Sequence, residues 1–141
     1  KPASYFNLPG ATGTTNVDKL QKVWSLMPAT ETDKEDFTIF VGSDFYKQYM
    51  VELANKNLFN EGTKEVAFGT TAKIVAVGGL NATGEVVAAS LSNLVVGTDM
   101  EGEEDKAELV YSNETKQFYQ DFHYALGVAV VNADKIGYVK Y

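Results

Sequence analysis

The 141-residue chain contains no cysteine and no arginine, and it has one histidine and three prolines. Without cysteine there are no disulfides, no thiol catalysis and no cysteine-ligated zinc, although the compartment stays open. All twelve basic residues are lysines. Arginine's planar fork is the usual tool for bidentate recognition of phosphate and guanine, so an acidic chain lacking it is poorly suited to sequence-specific nucleic-acid binding. No apolar run approaches the roughly 18 residues of a membrane span. The opening Lys1-Pro2-Ala3 does not read as a secretory leader and lacks an initiator Met, which points to a processed or excised piece of something longer.

What is present suits a folded domain. Hydrophobic residues make up 45% of the chain and charged residues 22%, ordinary proportions for a globular protein and wrong for a disordered one. This length suits one domain that buries roughly two-thirds of the unfolded chain's surface. The net charge is −7, and five of the nineteen acids lie between Asp99 and Asp105; without them the balance is −2. Most of the excess charge therefore belongs to one loop, expected to be exposed.

The pattern predicts helices first and strands after. Residues 1–15 are rich in Pro, Gly, Ala and Thr and read as irregular. Thr15 or Asn16 can cap a helix whose apolar face is Val17, Leu20, Val23, Trp24 and Met27, and Pro28 stops it. The polar run Thr30 to Asp36 reads as a hinge. Phe37 to Val41 is a short β-rich run expected as a central strand, and Ser43 is placed to cap a helix from Asp44 to about Leu58. Phe45, Tyr49 and Leu53, with Tyr46 and Met50 beside them, form its buried stripe. Beyond it, residues 65–68, 72–77, 85–90, 107–111, 116–124, 128–131 and 136–141 read as strands separated by Gly, Asn and Thr. Gly127 is expected to interrupt the run before Val128 as a bulge or close backbone approach. The result is an α+β fold: a central, mostly antiparallel sheet with two main helices. Residues 1–36 form an N-terminal irregular segment and helix, residues 37–141 the α+β region with its terminal strands, together one compact domain.

The candidate chemistry is sparse. His123 is the sole histidine, and Asp121, two residues away on one strand, cannot orient it as a triad requires. One histidine and no cysteine also make a zinc site unattractive. In the acidic stretch, Asp99, Glu101, Glu103 and Asp105 are weak calcium candidates. An EF-hand loop begun at Asp99 needs Gly at its sixth position and Glu at its twelfth, where the chain has Glu104 and Val110. The glycine-rich stretches 10–13 and 69–71 lack the lysine spacing of a phosphate-binding loop. Asn81 and Asn113 begin glycosylation sequons, short patterns that arise by chance. No catalytic residue, cofactor or metal is expected.

Four segments carry a resemblance: FTIFVGSDFYKQYMVELANKNLF (37–59), AKIVAVGGL (72–80), VVAASLSNLVVGTDME (86–101) and FHYALGVAVVNADKIGYVKY (122–141). In this order they resemble the major capsid protein of tailed double-stranded DNA phages, the Hong Kong 97-like fold. The first looks like the strand, polar cap and helix that open the capsid axial domain. The last looks like the usual ending: a long strand, a glycine, an apolar strand, a polar turn and a strand returning to the peripheral domain. The resemblance covers about three-quarters of the chain, from Phe37 to Tyr141. It implies the C-terminal portion of a capsid protein, containing the axial domain and part of the peripheral domain. The helix near Asn16 is too short for the family's complete spine helix, at about 1.5 Å of rise per residue.

What the resemblance implies is a structural subunit of a phage or prophage icosahedral shell, made in the bacterial cytoplasm and carried in the virion. Its partners would be other copies of itself, in pentamers and hexamers, with no membrane and no sequence-specific nucleic acid. An encapsulin-type shell is a variant of the same reading. Expected subunit contacts are Asp99, Glu101, Glu103, Glu104, Asp105, Tyr138 and Tyr141, with 136–141 as the stickiest surface. The alternative is a small non-catalytic module that binds a glycan or peptide on an aromatic sheet face. A hydrolase using Asp99 and Glu101 is a distant third.

Overall fold

The computed structural model describes residues 6–7, 13–58, 65–98, 107–122 and 126–141. In chain order its elements are β1 (Phe6–Asn7), α1 (Asn16–Leu26), α2 (Ala29–Thr32), β2 (Phe37–Gly42), α3 (Ser43–Asn55), β3 (Lys73–Val77), β4 (Glu85–Ser90), β5 (Leu94–Thr98), β6 (Ala107–Ser112), β7 (Gln117–Phe122), β8 (Leu126–Val130) and β9 (Gly137–Lys140). The class is α+β. Cα packing divides the chain into two compact units, residues 1–93 with 132–141, and residues 94–131. The division falls within the stretch 37–141, not at residue 36.

The first unit holds a five-stranded sheet in the order β1-β9-β4-β2-β3. β2 and β3 are parallel, as are β1 and β9, while β4 runs antiparallel to both β2 and β9. The middle strand is β4; β2, expected there, lies one place off centre. Strand side chains alternate between faces. Phe37, Ile39 and Val41 of β2 therefore share one face with Ile74, Val86, Ala88 and Val139. That face meets Val17, Leu20, Val23 and Met27 of the first helical segment and Tyr49 and Leu53 of α3 in a single buried cluster. Burying these side chains fixes the helices on the sheet, each large apolar residue contributing about 2 kcal/mol.

Local chemistry explains the helix ends. Thr15 caps α1, its hydroxyl accepting from the Asp18 backbone N–H at 3.2 Å. The cap of α3 is Gly42, with Ser43 as the first helical residue, not the cap that the sequence predicts. Gly42 is there because the chain is crowded: a Cβ at this position would lie 2.6 Å from the Leu80 carbonyl oxygen. The Ser43 N–H is instead taken by the Asn81 side-chain oxygen at 2.6 Å.

Three further expectations are corrected. The run Thr30 to Asp36 is no solvated hinge: it carries most of α2, and Glu31 is buried, with Lys34 at 2.7 Å and Lys135 at 3.6 Å. Residues 65–68 form no strand beyond a single bridge, Val66 to Lys73. The end strand is an interior one, flanked by β1 and β4; Val139 is buried in it, and Ile136 is buried just before it.

The second unit consists of two antiparallel pairs. β5 pairs with β8, and β6 pairs with β7 around a turn at 113–116. β5 is absent from the sequence-based expectation. Gly127 does not interrupt its strand; it pairs with Gly97 across the β5–β8 ribbon, and a Cβ there would meet only ordinary contact, at 3.8 Å.

Candidate functional site

In the first unit three acids, Asp36, Asp44 and Glu52, bond backbone N–H groups. Asp36 accepts from the Ser90 hydroxyl at 2.6 Å and the Ser92 N–H at 2.8 Å, which holds its carboxyl down at about 2. Asp44 accepts from the Ala82 N–H at 2.8 Å and the Phe45 N–H, and its pKa is likewise lowered, by Ala82 first. Glu52 accepts from the N–H groups that open α1. Carboxylates engaged in this way tie loops to helices and strands; they are not poised to move protons. Among the described residues no group of three or more His, Asp or Glu is placed to hold a metal ion.

Of the residues singled out by sequence, Asp99, Glu101, Glu103, Glu104, Asp105 and His123 lie outside the described residues. Tyr138 and Tyr141 lie within them and both make contacts inside the chain. The Tyr138 hydroxyl donates to Glu85 Oε1 at 2.8 Å, and that bond raises its pKa. Tyr141 donates to the Lys19 carbonyl at 3.2 Å and carries the Lys19 ammonium 4.7 Å from its ring centre. Burial pushes its phenol up to about 12.

Two surfaces stand out that sequence reasoning missed. The first is the sheet face turned away from the helices. Register places Val75, Phe40, Val87 and Tyr138 in one row across β3, β2, β4 and β9. Phe40, Val87 and Tyr138 are half-buried, and Val75 is 43% exposed. On the same face, Lys73 pairs in register with Thr38, and Lys140 lies 3.6 Å from Glu85. The second surface is the β5–β8 ribbon. Val96 and Val128 face each other across it at 64% and 73% exposure, with Leu126 beside them at 62%. Neither strand carries a charged residue. An isolated two-stranded ribbon is marginal in water, so such a face gains by being covered. On β6 and β7, the exposed rings of Tyr111 and Phe118 lie tilted at 51° with their centres 5.0 Å apart.

A groove of about 690 Å³ beside α1 is lined by residues that include Asp18, Gln21, Lys22 and Trp24. The Trp24 indole N–H is buried without a hydrogen-bond partner among the described residues. These groups form no recognisable catalytic constellation.

No protein-family model and no curated protein matches the sequence. Among solved structures, the chain is similar to a chain of the satellite phage P4 procapsid that includes the size determination (Sid) protein. The TM-score is 0.58 at 13% identity, and the match covers 89% of this chain. It spans 37% of that chain's length. The fold is thus a phage-capsid-like α+β fold, and the likeness reaches further toward the N-terminus than the stretch from Phe37.

Proposed function

We propose that the chain is a structural subunit of a phage or prophage icosahedral capsid and works by associating with copies of itself into the shell around the DNA genome. Within that reading it is the axial-domain portion of a Hong Kong 97-like major capsid protein. The observation that carries the proposal is the fold likeness to a procapsid chain over 89% of this chain. The sequence pattern supports it independently, since the order of segments from Phe37 to Tyr141 resembles the same fold. The exposed aliphatic ribbon and the half-open sheet face fit a protein whose task is contact, because apolar patches of this kind mark interaction sites. Asp36, Asp44 and Glu52 serve the fold, which fits a non-enzymatic role.

The test is to express the gene that contains this sequence and examine high-speed pellets by electron microscopy. Closed particles of uniform size are expected. A product that stays soluble and instead binds immobilised glycans or peptides through Tyr111 and Phe118 would favour a binding module. The substitution His123→Gln is expected to leave melting temperature and assembly unchanged.

A further inference from the structure

Among the described residues, every buried side chain belongs to the first unit, and none lies in 94–131. The β5–β8 ribbon is open on both faces. Val95 and Val96 are successive residues of β5, point to opposite sides, and are both exposed. The ribbon is therefore held by its ladder and not by a core, and a two-stranded pair of that kind is marginal in water. Elements with few buried apolar contacts and exposed backbone hydrogen bonds open at a lower free energy than the core does.

One side chain stands at the foot of this ribbon. Just beyond the last ladder pair, Leu94 with Val130, the Asn93 amide grips the backbone of Asn132. Its Nδ2 donates to the Asn132 carbonyl at 2.7 Å, and its Oδ1 accepts the Asn132 N–H at 2.8 Å. A side chain thus reproduces the two-bond exchange of an antiparallel backbone pair. Asn93 is buried, so water does not compete readily for either bond. The chain on each side of the clamp is anchored to the short stretch 31–36. Ser90 and Ser92 bond the Asp36 carboxylate, the Leu91 N–H bonds the Asp36 carbonyl at 3.2 Å, and Lys135 lies 3.6 Å from Glu31.

We propose that the β5–β8 ribbon opens and closes while the first unit stays folded, and that Asn93 is the latch that keeps it closed. The two strands are far apart in the sequence, so pairing them carries a loop-closure cost. The clamp meets that cost inside the first unit, by joining the residues from which the two strands set out. It also fixes the register of the first ladder pair. Without it the closure cost returns to the ribbon, which then spends more of its time open. Asn93 acts on the ribbon through Asn132, so it is a positioning residue. The inference goes beyond the shell reading and does not depend on it.

Hydrogen–deuterium exchange followed by mass spectrometry, on the full gene product at neutral pH, tests the latch. In the parent, peptides covering 94–98 and 126–130 are expected to exchange faster than those covering 37–42 and 43–55, yet slower than an unstructured chain. Asn93→Ala should speed exchange in the ribbon peptides about tenfold, the scale set by two lost hydrogen bonds of modest net worth, and leave 37–42 and 43–55 unchanged. Asn132→Ala removes a side chain at the same junction but keeps the backbone groups that Asn93 grips, so its ribbon should exchange at the parent's rate. Ribbon exchange that is the same in Asn93→Ala and the parent would overturn the latch, as would Asn132→Ala speeding it equally. Asn93→Ala speeding 37–42 as much as the ribbon would also overturn it, because the clamp would then hold the core and the ribbon would not open by itself.

Discussion

The Glu52 carboxylate on α3 accepts the backbone N–H of Asn16, the first residue of α1, at 2.7 Å, and the next N–H, that of Val17, at 3.3 Å. A helix leaves its first N–H groups without intrahelical partners and carries partial positive charge at that end. One side chain from a neighbouring helix thus satisfies two orphan donors and places a negative charge where the dipole favours it. The neighbouring pair, Asn16 Nδ2 donating to Gln48 Oε1 at 3.3 Å, adds to the same junction. Together they fix how the two main helices meet before the apolar core is considered.

Glu52→Gln keeps the shape and removes the charge. It is expected to cost about 1 kcal/mol, the usual scale for a charge at a helix terminus in a partly buried setting. Urea denaturation at neutral pH checks this. An unchanged midpoint would mean that the bond contributes nothing net.

The core beneath that junction should be far more sensitive. Leu53 and Tyr49 are fully buried, and the Tyr49 hydroxyl accepts the Phe68 N–H at 2.8 Å. Leu53→Ala is expected to cost about 2–5 kcal/mol through lost burial and the cavity left behind. Tyr49→Phe should cost about 1 kcal/mol, because it strands the partly buried Phe68 N–H and not because it opens a void. Comparing the two melting temperatures separates packing from hydrogen bonding.

Asp36 sets a pH dependence. Its folded pKa, about 2, lies below the ordinary value of 3.8, chiefly because the Ser90 hydroxyl and then the Ser92 N–H bond the ionised form. A lowered carboxyl pKa gives stability that is complete above the unfolded value and is lost as pH falls through the folded one. The urea midpoint should therefore fall between about pH 4 and about pH 2. Asp36→Asn should lower the midpoint at neutral pH and flatten that slope. A slope as steep as the parent's would place the acid sensitivity in other carboxylates.

Much of this architecture was legible in the sequence. The 3–4 spacing of Val17, Leu20 and Val23 and of Tyr49 and Leu53 marks both main helices, and Glu85 to Ser90 is a strand with the bounds expected. What was not legible depends on partners distant along the chain. Glu31 looks like part of a polar hinge until Lys135 comes to within 3.6 Å of it. Leu94 to Thr98 shows no alternation of its own and becomes a strand only through its pairing with β8. The row from Val75 to Tyr138 exists only in register, since each residue comes from a different strand. Ser43 misleads for a steric reason: the cap position is crowded by the Leu80 carbonyl, and glycine fits there.

The central claim is that this chain builds a shell, and the most direct measurement is quantitative mass spectrometry of particles purified by density gradient from cells carrying the gene at its own locus. Peptides from this sequence, such as those spanning Ile136 to Tyr141, are expected among the most abundant in the DNA-containing particle fraction, in step with particle number across the gradient. Their absence from that fraction, with the protein recovered only in the soluble supernatant, would contradict the account.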